Sequence, residues 1–142
     1  MHFACTRLEW RKIMLNTNAF DYINVLDKAA DASWMRNEVI ANNIANATTP
    51  GYKREDVAFE SELRKALGYD GTESMDEKVR KAGRTSLNPV PYIDNAGFSY
   101  RMDGNNVDIE NENVYLAENQ LKYQGLLSSI QSEFANLQSV MK

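Results

Sequence analysis

Two stretches near the ends of the chain carry apolar residues at alternating three- and four-residue steps. In the first, Ile23, Leu26, Ala30, Ser33, Asn37, Ile40 and Ile44 keep this rhythm, which predicts a helix over residues 19–46. Beside that seam, Ala29 with Ser33 and Ala41 with Ala45 form a row of small residues that would let another helix come close. Trp34 and Met35 lie next to the seam. The plain reading of Trp34 is burial in the core; the other is an anchor at a subunit interface. Asn37, inside the seam, has two readings: it sets register with a second helix, or it faces water.

In the second stretch Leu116, Gln120, Tyr123, Leu127, Ile130, Phe134, Leu137 and Met141 step by four and three without a break, a coiled-coil rhythm. Asp108 is a suitable N-cap, and Glu110 and Glu112 suit the first turn because carboxylates favour the positive end of the helix dipole. At ~1.5 Å per residue, about 34 residues make a rod of roughly 50 Å, most of which the first helix can cover. Val114, Ala117, Leu121 and Leu126 widen the stripe beyond what one partner helix buries, which leaves interaction surface.

Between the seams the pattern breaks. Asn42, Asn43 and Asn46 are poor helix formers, because their amides compete for backbone hydrogen bonds. A core has no need of them, so they predict a surface that must hydrogen-bond something. Pro50-Gly51 ends the helix: proline lacks the N–H, and glycine supplies the positive φ of a type II turn. Residues 52–57 read as an extended, partly docked segment, too charged for a core strand. Phe59, Leu63, Ala66 and Leu67 space as one face of a short helix over 58–67. Residues 68–105 are punctuated by glycines and by Pro89 and Pro91. There the pattern allows one or two helical turns at 76–81 and a short hairpin around Asn95-Ala96-Gly97, within an otherwise irregular, flexible segment.

The expected fold is therefore mainly α: two long terminal helices, paired like a coiled coil, flanking a short helix and a flexible middle. The expected divisions are 1–15, a tail or upstream extension; 16–67, the first helix, turn and short helix; 68–105, the flexible middle; and 106–142, the C-terminal coiled-coil helix. Residues 1–13 lack the apolar run of a secretory signal, and Met14 is a plausible start.

Composition narrows the function. With 142 residues, 43% hydrophobic and 25% charged, the chain suits one domain with a modest core. A net charge of −4 weighs against nucleic acid. The acidic excess sits in the last stretch, where Asp108, Glu110, Glu112, Glu118 and Glu133 face only Lys122 and Lys142. Cys5 and His2 are the sole cysteine and histidine. They allow no disulfide framework, no structural zinc site and no histidine-activated nucleophile. No phosphate-binding loop, dinucleotide fingerprint or metalloprotease motif is present. The carboxylates of Glu60 and Glu62, Glu110 and Glu112, and Asp76 and Glu77 are too close in sequence to converge on one helix face, and read as solvent-facing. Tyr92, Phe98 and Tyr100 are too scattered to stack bases. No run of about 18 apolar residues could span a membrane. No catalytic, cofactor-binding or metal-ligating residue is predicted, and with them no enzyme, cofactor, nucleic acid or small-molecule substrate.

The stretch Ala41-Asn42-Asn43-Ile44-Ala45-Asn46, followed by Thr49-Pro50-Gly51-Tyr52, resembles the N-terminal signature shared by the rod and hook proteins of the bacterial flagellum. Residues 32–39, 55–63 and 101–108 resemble the proximal rod members of that family. The resemblance covers residues 16–67 and 100–142. It implies a structural subunit of the basal body rod, part of the drive shaft between the MS ring and the distal rod and hook, without enzymatic activity. It implies as partners other copies of the chain, the rod proteins FlgC, FlgF and FlgG, the adaptor FliE, the MS-ring protein FliF and the flagellar type III export apparatus. The location implied is the basal body outside the cytoplasmic membrane, reached without a cleaved signal peptide. The residues expected to form the assembly seam are Ile23, Leu26, Ile40, Ile44, Leu116, Tyr123, Leu127, Ile130, Phe134, Leu137 and Met141. Phe59 and Leu63 match the family's Phe-x-x-x-apolar export motif, and plain helix packing explains the same spacing. A soluble coiled-coil adaptor or export chaperone is the alternative function.

Overall fold

The first seam forms helix α1 over Ala19–Ala45, and the second forms α4 over Ile109–Val140. Between them lie β1 (Glu55–Val57), α2 (Glu60–Leu67), α3 (Met75–Arg84) and β2 (Pro91–Ile93). The computed structural model describes residues 19–68, 73–84, 87–94, 99 and 101–141. The expected tail at 1–15 and the hairpin expected around Asn95-Ala96-Gly97 lie outside the described residues. The architecture is mainly helical, as the periodicity predicts.

α1 is the hub because two of its flanks are apolar. On the seam flank Ile23, Ala30, Ser33 and Ile40 are buried and Leu26, Asn37 and Ile44 half-buried. This flank meets α4 in the most extensive contact between elements. The two helices run antiparallel: Asn43 reaches Glu112, Ser33 and Asn37 reach Asn119, and Trp34 meets Tyr123. On the adjoining flank Ala32 and Val39 join Val57, Phe59, Ala82 and Leu87 in the buried core. β1 and β2 pair antiparallel, with Glu55 opposite Ile93 and Val57 opposite Pro91. That pairing ties the middle of the chain to the segment leaving α1.

The middle is more ordered than its sparse apolar residues imply. α3 spans ten residues, where one or two turns are expected. It holds on through Val79 and Ala82, one turn apart and both buried. A Cβ on Gly83 would stand 3.9 Å from the Asp21 carbonyl, so the helix lies close to α1 there. Two small anchors are too few to show as a period.

Trp34 is 58% exposed, which corrects its reading as a core residue. Ser33 and Asn37 occupy the seam, and position 34 turns about 100° past it, to the rim. There its ring meets that of Tyr123, at a centroid distance of 6.2 Å. Ala41 and Ala45 are exposed too, so among the described residues no helix covers that part of the small-residue row, while Ser33 in its other part is buried.

The stripe of α4 needs a larger correction. Leu116, Tyr123, Ile130 and Leu137 face α1, half-buried, as expected. Their companions in the contact are Glu112, Asn119, Leu126 and Glu133, three residues after or four before each. Gln120, Leu127, Phe134 and Met141 point out, with Phe134 52% and Met141 80% exposed. Both sets fit a seven-residue repeat around the shared positions, and the fold takes the more polar one. Glu112 and Asn119 are the buried residues of α4; none follows Asn119.

Local stability follows burial and contact density. In hydrogen–deuterium exchange of the dilute chain, amides of α1 at 36–45 should be the most protected. Those of α4 from 125 onward should exchange at least about tenfold faster, since an apparent opening cost lower by ~1.4 kcal/mol suffices. Uniform protection along α4 would overturn this gradient.

Candidate functional site

The last carbonyls of a helix have no partner within it. α1 also lacks a basic residue in its last turn to meet the negative end of its dipole. The chain solves both problems with a segment more than fifty residues further on. Asn105, fully buried, aims its Nδ2 at the carbonyls of Asn46 (3.0 Å), Ala47 (3.0 Å) and Thr49 (2.9 Å). Its Oδ1 accepts from the Val107 N–H at 2.7 Å. Arg101 Nη1 donates to the Ala47 carbonyl at 3.0 Å and places a cation at that helix end.

The turn after α1 makes this docking possible. Tyr52 N–H donates to the Thr49 carbonyl at 3.3 Å, with Pro50 second and Gly51 third at φ 72°. That is the type II turn the sequence predicts, and the positive φ is why glycine stands there. Gly51 N–H donates to the Asp103 carbonyl at 2.8 Å, joining the turn to the 101–108 segment.

Asn43 is also fully buried. Its Nδ2 donates to the Glu55 carbonyl at 2.8 Å and to Glu112 Oε2 at 3.1 Å. Its Oδ1 accepts from the Glu55 N–H at 3.0 Å and the Tyr52 hydroxyl at 3.3 Å. One amide thus joins α1, β1 and α4. Glu112, 1% exposed, is paired on its other oxygen by Arg54 Nε at 2.6 Å. Arg54 also reaches Asp94 at 3.2 Å and Asp56 at 3.4 Å, and its guanidinium lies 5.3 Å from the Tyr115 ring centre. Burial alone would lower the Arg54 pKa; the Glu112 hydrogen bond and charge, with Asp56 and Asp94, raise it above its ordinary value.

A second node lies further along α1. Arg36 holds Glu60 through both terminal guanidinium nitrogens, at 2.6 and 2.5 Å, and Lys122 of α4 bonds the same carboxylate. Arg36 also donates to the Val57 carbonyl at 2.7 Å. The Arg36 hydrogen bonds, against some opposing burial and with help from Lys122, lower the Glu60 pKa to about 2. Between the nodes, Asn119 Nδ2 bridges the Ser33 carbonyl (2.7 Å) and Asn37 Oδ1 (2.9 Å). Asn37 therefore sets register between the helices, the first of its two readings.

The signature residues divide in two. Asn43, Asn46, Ile44 and Tyr52 turn inward, Asn43 wholly and the others in part. Ala41, Asn42, Ala45, Thr49, Pro50 and Gly51 are exposed. The expectation that the three asparagines serve an outer surface is corrected for Asn43, whose amide is spent within the chain. Asn46 is partly used: its Nδ2 returns to the Asn42 carbonyl and its Oδ1 accepts from the Thr49 hydroxyl. Phe59 is buried in the core and Leu63 packs beside it, so α2 has the packing explanation for that spacing. The reading of Glu112 as solvent-facing is also corrected. Its signal was present, since 112 stands one four-residue step before Leu116 and continues the seam. Arg36, Arg54, Arg101, Asn105 and Asn119 carried no local signal, because their partners are distant in sequence. Among the described residues no cluster of His, Cys, Asp or Glu could hold a metal ion, and no helix is long and apolar enough to cross a membrane. The junction matches charge with charge inside itself, and this arrangement clamps three segments together.

A family model described as flagella basal body rod protein matches residues 23–53, from the α1 seam through the turn. The chain is 32% identical over 119 residues to the flagellar basal body rod protein FlgB of Bacillus subtilis, covering 84% of this chain and 92% of that protein. It is 36% identical over 119 residues to FlgB of Escherichia coli, covering 75% and 83%. To FlgB of Borrelia hermsii it is 32% identical over 130 residues, covering 84% and 95%.

Removing one member of a buried charge pair strands the other, so Glu112→Ala should cost about 3–5 kcal/mol in urea denaturation. Glu112→Gln keeps the shape and a hydrogen-bond acceptor and should lose less; equal losses would show that packing, not the pair, matters there. A second prediction concerns acid. The Glu60 carboxyl titrates at about 2 when folded and at its ordinary 4.5 when unfolded. Its contribution is therefore complete above about pH 4.5 and is lost as pH falls from there through 2. With the carboxylate 45% exposed, solvent screening holds this to about 1 kcal/mol or less. Glu60→Gln should flatten the fall in stability over that window, and an unchanged slope would refute the assignment.

Proposed function

This chain belongs to the family of the flagellar basal body rod protein FlgB, and on that footing we propose that it works as a drive-shaft subunit carrying torque from the MS ring to the distal rod and hook. It is a structural subunit of the proximal rod. The observation that carries the torque reading is the outward row on α4. Leu127, Phe134 and Met141, with Leu121 beside them, stay exposed after α1 has taken its share of the stripe. Apolar rows that a chain leaves uncovered are covered by neighbours. Long helices packed side by side at the density of a protein interior give the stiffness that torque transfer needs. The exposed face of the signature, Ala41, Asn42 and Ala45, serves neighbouring subunits in this reading.

The neighbours we propose are other copies of the chain, FlgC, FlgF and FlgG, the adaptor FliE and the MS-ring protein FliF. The route is the flagellar type III export apparatus, without a cleaved signal peptide. If Phe59 and Leu63 act in export, they do so before folding, because Phe59 is buried in the folded chain. The relatives are rod proteins by name, and none lends support to a soluble adaptor or export chaperone, or to an enzyme.

Two measurements test the proposal. Expression of the chain in a bacterium lacking its own FlgB should restore swarming; failure with normal protein levels counts against it. Cysteines at Ala41 and Leu127, both exposed, should crosslink to copies or rod and ring neighbours in isolated basal bodies. A strain that swarms but yields no such crosslinks would remove these two positions from the interface.

A further inference from the structure

α1 has three flanks, and two of them are covered within the chain. The seam flank packs on α4, and the flank of Ala32 and Val39 packs on the core. The third runs from Phe20 to Ala45 in alternating four- and three-residue steps, and every position of it is exposed. This is the rhythm that lays α4 on the seam, so the third flank is a row along one side of the helix. At ~1.5 Å per residue it is roughly 38 Å long.

α4 leaves a row open on the same side. About the α4 axis, Lys122 and Tyr115 turn toward the core, where Lys122 bonds Glu60 and Tyr115 lies by Arg54. Leu127 and Phe134 turn the other way from the Tyr123 seam. About the α1 axis, the third flank lies about 100° past the α4 seam, on the side away from the core flank. The two open rows therefore border one groove along the back of the helix pair, and the rings of Trp34 and Tyr123 meet in it.

The two borders differ in chemistry. The α4 border is apolar, through Leu127 and Phe134. The α1 border carries Asp27, Asp31 and Glu38, with no lysine or arginine among its positions. None of these three carboxylates makes a hydrogen bond or ion pair among the described residues. Trp34 stands one turn from Asp31 and one from Glu38, and both it and Phe20 are more than half exposed. Surface carboxylates alone are at ease in water, but so much exposed aromatic and aliphatic surface in one place marks a contact. Anionic lipid and nucleic acid are repelled by the three carboxylates. The body that fits is long, apolar toward α4 and cationic toward α1, where a cation also gains by lying over the Trp34 ring.

We propose that this groove receives a helix of a neighbouring rod subunit, apolar where it meets Leu127 and Phe134 and carrying lysine or arginine along the edge that meets Asp27, Asp31 and Glu38. The inference rests on the reading of the chain as a rod subunit, and it names the chemistry of the neighbour that the α4 row meets. The apolar border supplies burial, and the charged border fixes which way the neighbour lies and in what register.

The test compares three chains in a strain lacking its own FlgB: wild type, a conservative double variant (Asp31→Glu with Glu38→Asp) and a reversed one (Asp31→Lys with Glu38→Lys). Wild type and the conservative variant should swarm. The reversed variant should yield about tenfold fewer basal bodies or worse, because it sets like charge against the incoming helix. Circular dichroism of the purified reversed variant should show unchanged helix content, as both side chains are exposed and unpaired in the single chain. If wild type itself fails to swarm, the rod reading falls and the groove with it. If the reversed variant assembles like wild type, the charged border alone falls, and the proposed partner with it. A density map of the assembled rod decides independently of how any variant folds. A neighbour's helix in the groove, with a Lys or Arg nitrogen within about 4 Å of one of the three carboxylates, supports the proposal. Solvent there, or a segment without a cation, overturns it.

Discussion

Burying Glu112 sets the terms for the rest of the chain. An ionised carboxylate out of water has to be met by a charge and by hydrogen bonds, or folding stops. Arg54 and Asn43 meet it, and they come from a turn-proximal segment and from the end of α1. The contact therefore exists only when α1, the β1 segment and α4 are together. It also sets the rotation of α4 about its own axis. With Glu112 turned toward Asn43, the residue two turns on is Asn119, which lands on Ser33 and Asn37.

That rotation has a consequence for the apolar surface. The seam positions Leu116, Tyr123, Ile130 and Leu137 can be completed on either side. The side with more hydrocarbon carries Leu127, Phe134 and Met141, yet the chain turns it outward. A monomer optimised alone would do the reverse. The polar junction takes the intrachain contact and leaves the apolar row for assembly, so much of the burial available to this sequence comes only with neighbours. Under the export route proposed above, a subunit that crosses a narrow channel before it serves in a shaft gains from that division.

The signature region and the 101–108 segment act as one unit in this light. The first supplies a helix end with unmet carbonyls, and the second supplies the Asn105 amide and the Arg101 charge. Asn43, Tyr52 and Gly51 shape the receiving surface. The core of α1, β1, α2 and α3 supports the junction from the adjoining flank, with Phe59 and Ala82 among its buried residues.

Local rules determined the two long helices, the Asp108 cap, the type II turn at Pro50-Gly51, the inward face of α1 and the family itself. Each depends on residues within a turn or two of one another, or on a run of them in sequence. The tertiary structure alone decided which side of α4 is buried, that Trp34 stays at the rim, that Val79 and Ala82 hold a ten-residue helix in a segment expected to be irregular, and that Asn43 and Glu112 face each other in the interior. These outcomes turn on distant partners, 69 residues apart for Asn43 and Glu112 and 86 for Ser33 and Asn119. A side chain's neighbours along the chain cannot report whether a distant arginine or amide will arrive to make its burial favourable.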